Sequence, residues 1–184
     1  MTGPLHGLRV LDLTRILAGP TCTQILGDLG ADIIKVEQAR KGDDTRSFVP
    51  PFIKNKDGND TTESAYFCSS NRNKRSITLN IADPEGQKIA RRLAACSDIL
   101  VENFKSEGLN KYGLSYDLLK DDIPSLVYCS ITGFGHTGPY AERPGYDLLI
   151  QAMGGFMSIT GEPDNGPQKA GIPIADLMAG MYAS

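Results

Sequence analysis

Two short apolar runs, residues 8–13 (LRVLDL) and 31–37 (ADIIKVE), flank a segment that Pro20 opens and Gly30 closes. No other feature constrains the fold as tightly. Each run is the length of a buried strand and too short for a core helix. Pro20 suits a first helical turn, where N–H groups lack intrahelical partners anyway, so a helix is predicted from Pro20 to about Leu29. Strand, helix and strand within about thirty residues form a βαβ unit, which requires a right-handed crossover.

The alternation continues along the chain. Residues 76–81 (SITLNI) alternate as a strand, and Asp83 with Pro84 supplies an N-cap and first turn. Ile89, Ala90, Leu93 and Ala94 give the helix that follows an apolar face. A strand at 98–102 (DILVE), a short helix around 116–120 and a strand at 126–131 (LVYCSI) come next. A turn-rich loop fills 132–145. A helix over 146–153 is broken by Gly154 and Gly155, and a last helix runs from Ile174 to Ser184. Residues 39–65, punctuated by Gly42, Pro50, Pro51 and Gly58, are predicted to be a loop with a functional role or mobility. Strands and helices in this order define an α/β, Rossmann-like, doubly wound and mainly parallel sheet.

Composition narrows the function classes. A net charge of −3 gives no field that favours nucleic acid or an anionic membrane. No apolar run approaches the ~20 residues of a membrane helix. Residues 1–7 lack the pattern of a signal or transit peptide, so a soluble, intracellular protein is expected, cytoplasmic or mitochondrial. The cysteines, at positions 22, 68, 96 and 129, show no C-x-x-C spacing, and His6 and His136 are the only histidines. A zinc site is not expected, and the thiols are expected to be reduced and mostly buried.

Gly133, Gly135 and Gly138 spell G-x-G-x-x-G directly after a strand. A dinucleotide fingerprint needs those glycines to open a helix whose N-terminus holds the pyrophosphate. Pro139 and Pro144 prevent that here. Two readings stay open: an amide-rich loop able to approach an anion or a thioester oxygen, or a plain surface turn.

Seven blocks carry a resemblance: 5–20 (LHGLRVLDLTRILAGP), 26–37 (LGDLGADIIKVE), 71–80 (NRNKRSITLN), 98–104 (DILVENF), 130–139 (SITGFGHTGP), 143–147 (RPGYD) and 171–182 (GIPIADLMAGMY). In this order they resemble class III coenzyme A (CoA) transferases, the CaiB/BaiF family, closest to succinate/glutarate-type dicarboxylate CoA transferases. The resemblance implies that residues 1–184 form the N-terminal part of a large Rossmann-like domain. A small domain and a C-terminal return segment would follow, within an interlocked homodimer. It further implies that the 184-residue chain alone is inactive.

The resemblance assigns Asp176, in its GxxxxDxxxG setting, as the nucleophile of an acyl-CoA:carboxylate CoA transferase. That reaction would pass through an aspartyl-acyl anhydride and an aspartyl-CoA thioester, moving CoA from an acyl-CoA to a small (di)carboxylic acid. CoA is then a substrate, and no tightly bound cofactor is implied. From its local sequence alone, Asp176 is a first-turn helix acid. By position, the family's CoA contacts fall on Leu17, Ala18, Leu79, Asn80, Asn103, Phe104, Lys105 and Lys111, with Arg143 and Tyr146 added from RPGYD. Gln38 stands where some members carry Arg, and Arg40 or Lys41 is a substitute. A solvated face is the plain reading of Arg72, Lys74 and Arg75. Related α-methylacyl-CoA racemases carry His where this chain has Tyr146. Removing an α-proton needs a base near neutrality, whereas a phenol titrates near ~10, so racemase chemistry is the alternative, beside a non-catalytic chain. His136, ten residues before Tyr146, reads as an exposed turn residue.

Overall fold

The central strands are apolar on both faces because helices cover both. The structure, a computed structural model, describes residues 3–184. Its elements are β1 (Arg9–Asp12), α1 (Ala18–Asp28), β2 (Asp32–Glu37), β3 (Phe52–Lys54), β4 (Asp60–Ser64), α2 (Ala65–Asn71), β5 (Lys74–Thr78), α3 (Pro84–Ala95), β6 (Ile99–Glu102), α4 (Tyr116–Leu119), β7 (Val127–Ser130), α5 (Asp147–Met153) and α6 (Ile174–Ala183). Five strands pair in parallel in the order β5-β2-β1-β6-β7. The strand order reverses between β1 and β6, the switch point at which open α/β sheets bind ligands.

Alternation along each strand builds two cores. Val10, Ile33 and Val101 face one way, onto Cys22 and Leu26 of α1. Leu11, Ile34 and Leu100 face the other way, onto Ala90 and Ala94 of α3, with Leu109, Leu114 and Leu119 closing that layer. Each fully buried aliphatic side chain contributes about 1.5–3 kcal/mol. Helix α3 begins as the sequence predicts: Asp83 accepts a hydrogen bond from Glu85 N at 2.9 Å, and Pro84 follows. Helix α1 starts two residues before Pro20, which still lies in the first turn.

The segment predicted as a loop, 39–65, is more ordered than expected. It holds a 3-10 turn (Asp44–Ser47) and the antiparallel pair β3–β4, and it leads straight into α2. The pair is short and mostly exposed, three and five residues long, with apolar side chains only in β3, so it lacks the run of apolar alternation that marks a strand. Helix α2 did have a signal: the Ser64 hydroxyl caps it by accepting from Tyr66 N and Phe67 N. The thiols also correct an expectation. Cys22 is buried and Cys129 half-buried, but Cys68 and Cys96 are exposed. No helix among the described residues is long and apolar enough to cross a membrane.

The glycine motif after β7 has a packing cause for its first member. A Cβ on Gly133 would stand 2.3 Å from Gly145 Cα, so the two ends of the 132–145 loop touch through bare backbone. At another close crossing, a Cβ on Gly180 would meet Ala18 O at 2.4 Å, which lets α6 lie directly against the start of α1.

Candidate active site

A cleft of about 420 Å³ opens at the carboxyl ends of β1, β2, β5 and β6. Leu13, Thr14 and Arg15 line it from the turn after β1, Gln38 from beyond β2, and Leu79 and Asn80 from beyond β5. Phe104, Lys105, Lys111 and Tyr112 close the far side. Five residues nominated from the sequence therefore line this one cleft: Leu79, Asn80, Phe104, Lys105 and Lys111. Asn103 works from behind it. Its Oδ1 accepts from Arg15 N at 3.0 Å and its Nδ2 donates to Arg15 O at 2.7 Å, which clamps the β1–α1 turn. Leu17 and Ala18 are buried at the start of α1, where they adjoin α6. Arg143 stacks over Tyr140 at 4.2 Å, Tyr146 is 70% exposed, and neither lines the cleft.

Arg40 and Lys41 are not part of the wall, and Lys41 pairs with Asp44. The cation that the sequence reading missed is Arg15, exposed at the switch-point turn with its guanidinium 5.2 Å from the Phe104 ring centroid. Its position directly after the first strand was the available signal. His136 is exposed, as expected.

Beneath the cleft lies a buried ionic layer that the sequence did not announce. Lys74 belongs to it, contrary to the solvated reading of 72–75. Its side chain is 1% exposed, and Nζ donates to Asp12 Oδ2 (3.1 Å), Pro20 O (2.9 Å) and Asn71 Oδ1 (3.0 Å). Arg72 and Arg75 stay outside, paired with Asp28 and Asp32. Lys35, also 1% exposed, pairs with Asp43 at 3.0 Å and donates to Thr14 O at 2.8 Å. Asp12 Oδ1 accepts from Thr14 N and Thr14 Oγ1, while Oδ2 accepts from Thr23 Oγ1. Burial pushes the Asp12 carboxyl up, but Lys74, Lys35 and the two threonine hydroxyls outweigh it and hold the group below the ordinary range. The turn that lines the cleft is thus fixed from below by charge-assisted hydrogen bonds.

Glu37, in the same wall, accepts from Arg46 Nε (2.7 Å), Arg46 Nη2 (2.8 Å), Ser76 Oγ (2.5 Å) and Asp43 N (2.8 Å). Burial would raise its pKa, but these donors outweigh burial and leave it at about 2. A depressed carboxylate contributes stability that is fully present above its unfolded value of ~4.3 and is lost as pH falls toward 2. Denaturation midpoints should therefore drop between roughly pH 4.5 and 2.5, and Glu37→Gln should be less stable at pH 7 with a flatter acid limb. Parallel acid limbs for the two proteins would remove Glu37 as the cause.

Asp176 stands apart from the cleft wall, in the first turn of α6 and half-buried. Burial, and then the negative charge of Asp147, raises its pKa to about 6. Asp147 opens α5 and accepts from Ala175 N at 2.8 Å and from Asp176 N at 3.3 Å. Tyr66, near the start of α2, is the third member. Burial and the charges of Asp176, Asp147 and Asp43 push its phenol up, so it remains a neutral hydroxyl. The turn after β1 links the two regions: Thr14 and Arg15 line the cleft, and Ala18 backs onto α6.

Fold and site together define an open, doubly wound α/β protein. It has a cationic-rimmed cleft at its topological switch point and a carboxylate of raised pKa on an adjoining helix. The chain belongs to CoA-transferase family III, whose profile matches residues 5–184. It is 53% identical over 180 residues to a succinate–glutarate CoA-transferase of Agrobacterium fabrum, covering 98% of this chain and 45% of that protein. It is 51% identical to the succinyl-CoA:glutarate CoA-transferase of Mus musculus, covering 98% of this chain and 40% of that protein. A crystal structure of a CaiB/BaiF family protein from Brucella suis superposes with a TM-score of 0.93 at 56% identity, over 100% of this chain and 47% of that one. The chain thus spans less than half the length of the relatives it matches.

Proposed function

We propose that the full-length protein is an acyl-CoA:carboxylate CoA transferase acting on dicarboxylates of the succinate and glutarate class, with Asp176 as nucleophile. The observation that carries this reading is the half-buried carboxylate at the start of α6, raised to about 6 in a chain that belongs to family III. At that value it is largely ionised at pH 7 yet more basic, and so more nucleophilic, than an ordinary aspartate. The substrate class rests on relatives named for succinate and glutarate.

An Asp176 oxygen attacks the thioester carbonyl. The C–S bond breaks, and CoA leaves as its thiolate. The thiolate attacks the aspartyl carbonyl of the mixed anhydride, releases the donor acid and forms an aspartyl-CoA thioester. The acceptor carboxylate attacks that thioester, giving a second anhydride and free thiolate. The thiolate then takes the acceptor acyl group and restores the Asp176 carboxylate. Every step is acyl transfer, with no net redox change. Arg15, Lys105 and Lys111 suit the phosphates of CoA, Leu79 and Phe104 its apolar stem, and the β1–α1 turn would lead the thioester toward α6. The Tyr66 hydroxyl is a donor suited to the developing oxyanion. A homodimer belongs to this reading, supported by the apolar side chains exposed on α5 and α6, among them Leu148, Met153 and Met181. So does a CoA-containing compartment, cytoplasmic or mitochondrial.

The test is CoA exchange by the full-length protein between succinyl-CoA and glutarate, followed by mass spectrometry. Transfer is expected. With an α-methylacyl-CoA in deuterated water, no α-deuterium uptake is expected, because Tyr146 replaces the base a racemase needs. Rapid exchange without CoA transfer would reverse the assignment.

A further inference from the structure

Helix α6 has no cap of its own. Its N-cap position is Pro173, which offers no side-chain acceptor. The first-turn N–H groups of Ala175 and Asp176 are met instead by Asp147 Oδ1, from 28 residues earlier in the chain. The second oxygen of Asp147 is held in turn. Gln151 is 2% exposed, and its Nε2 donates to Asp147 Oδ2 at 2.6 Å. Gln151 Oε1 accepts from Ala170 N at 2.8 Å, on the segment that leads into α6. Asp147, Gln151 and Ala170 therefore fix where α6 begins, and the reacting carboxylate sits in that first turn.

We propose that Asp147, held by Gln151, is the positioning residue for Asp176: it anchors the start of α6 and sets a second carboxylate against the nucleophile. This rests on Asp176 being the nucleophile. Asp147 brings a carboxylate to a helix N-terminus, where negative charge is favoured, and its oxygens are committed to N–H donors. Its charge is the one that acts with burial to lift Asp176 to about 6. The other neighbouring elements bring no competing charge. Helix α1, packed against α6, carries only Cys22 and Asp28 as titratable groups, with Cys22 turned to Cys129, Asp12 and Lys74 and Asp28 paired with Arg72. Helix α2 offers the neutral Tyr66 phenol, and Lys169 turns to Ala170 O.

The experiment compares Asp147→Asn, Asp147→Ala and Asp176→Ala in the full-length protein, by pH profiles of kcat/KM for CoA transfer. Asn keeps an oxygen acceptor for the α6 N–H groups but removes the charge. Its acid limb should move down by about one pH unit, with CoA binding unchanged by equilibrium dialysis. Ala also removes the anchor, and at a pH where Asp176 is fully ionised kcat should fall by about 10²-fold, the effect of a displacement near 1 Å. If Asp176→Ala is inactive and the Asn profile superposes on wild type, Asp147 has no such role. If Asp176→Ala is active, the nucleophile assignment fails instead. If the Ala variant does not fold, the Asn acid limb alone decides.

Discussion

Asp176→Ala in the full-length protein is expected to lower CoA transfer by at least about 10³-fold while leaving CoA affinity within a few-fold of wild type. Every covalent intermediate in the proposed sequence is an acyl derivative of that side chain, so no step survives its removal. Asp147, the nearest carboxylate, cannot take over. Its oxygens are held by Ala175 N, Asp176 N and Gln151 Nε2. The cleft residues are untouched by the change, which is why binding should persist. Wild type incubated with acyl-CoA and then hydroxylamine should carry the label on Asp176, read by peptide mass spectrometry. Turnover retained in the alanine variant, or label on another residue, would overturn the nucleophile assignment.

Asp12→Ala is expected to destabilise the protein by about 3–5 kcal/mol. Asp12 is fully buried and accepts four hydrogen bonds, from Thr14 N, Thr14 Oγ1, Thr23 Oγ1 and Lys74 Nζ. Removing it leaves the Lys74 ammonium without its counter-charge and the β1–α1 turn without its internal ties. Loss of one member of a buried pair costs far more than the pair itself contributes. Because that turn lines the cleft and starts the helix packed on α6, CoA binding should weaken as well. Urea denaturation measures the first effect and equilibrium dialysis the second. A loss below about 1 kcal/mol would mean that Lys74 finds another partner. Lys74→Met should cost less than Asp12→Ala, since Asp12 loses that partner but keeps its hydrogen bonds from Thr14 and Thr23 and the nearby charge of Lys35.

Where side-chain identity and spacing act locally, the sequence was legible. The runs at 8–13 and 31–37 predicted parallel strands because both faces of each are apolar, and β1 and β2 divide those side chains between α1 and α3. Asp83 with Pro84 predicted the start of α3 to the residue. The short hairpin of β3 and β4 left no trace because its strands are too brief for an apolar alternation to show, with Phe52 and Ile53 adjacent in β3 and only polar residues in β4. Lys74 was misread for a different reason: a lysine in a run of basic residues looks solvated until its partners are known, and Asp12 lies 62 residues away.

The sequence by itself determined the alternation of strands and helices, the strand ends from which four of the five nominated cleft residues come, and, through its seven blocks, the family. Local patterns suffice for these because burial and capping are set by a residue and its near neighbours. Only the tertiary structure decided that Lys74 and Lys35 lie beneath the cleft, that Gly133 serves contact with Gly145, and that Asp147 caps a helix 28 residues onward. The physical reason is the same in each case. A buried charge, a bare-backbone contact or a borrowed cap is defined by its partner, and strand crossovers bring those partners together from distant parts of the chain.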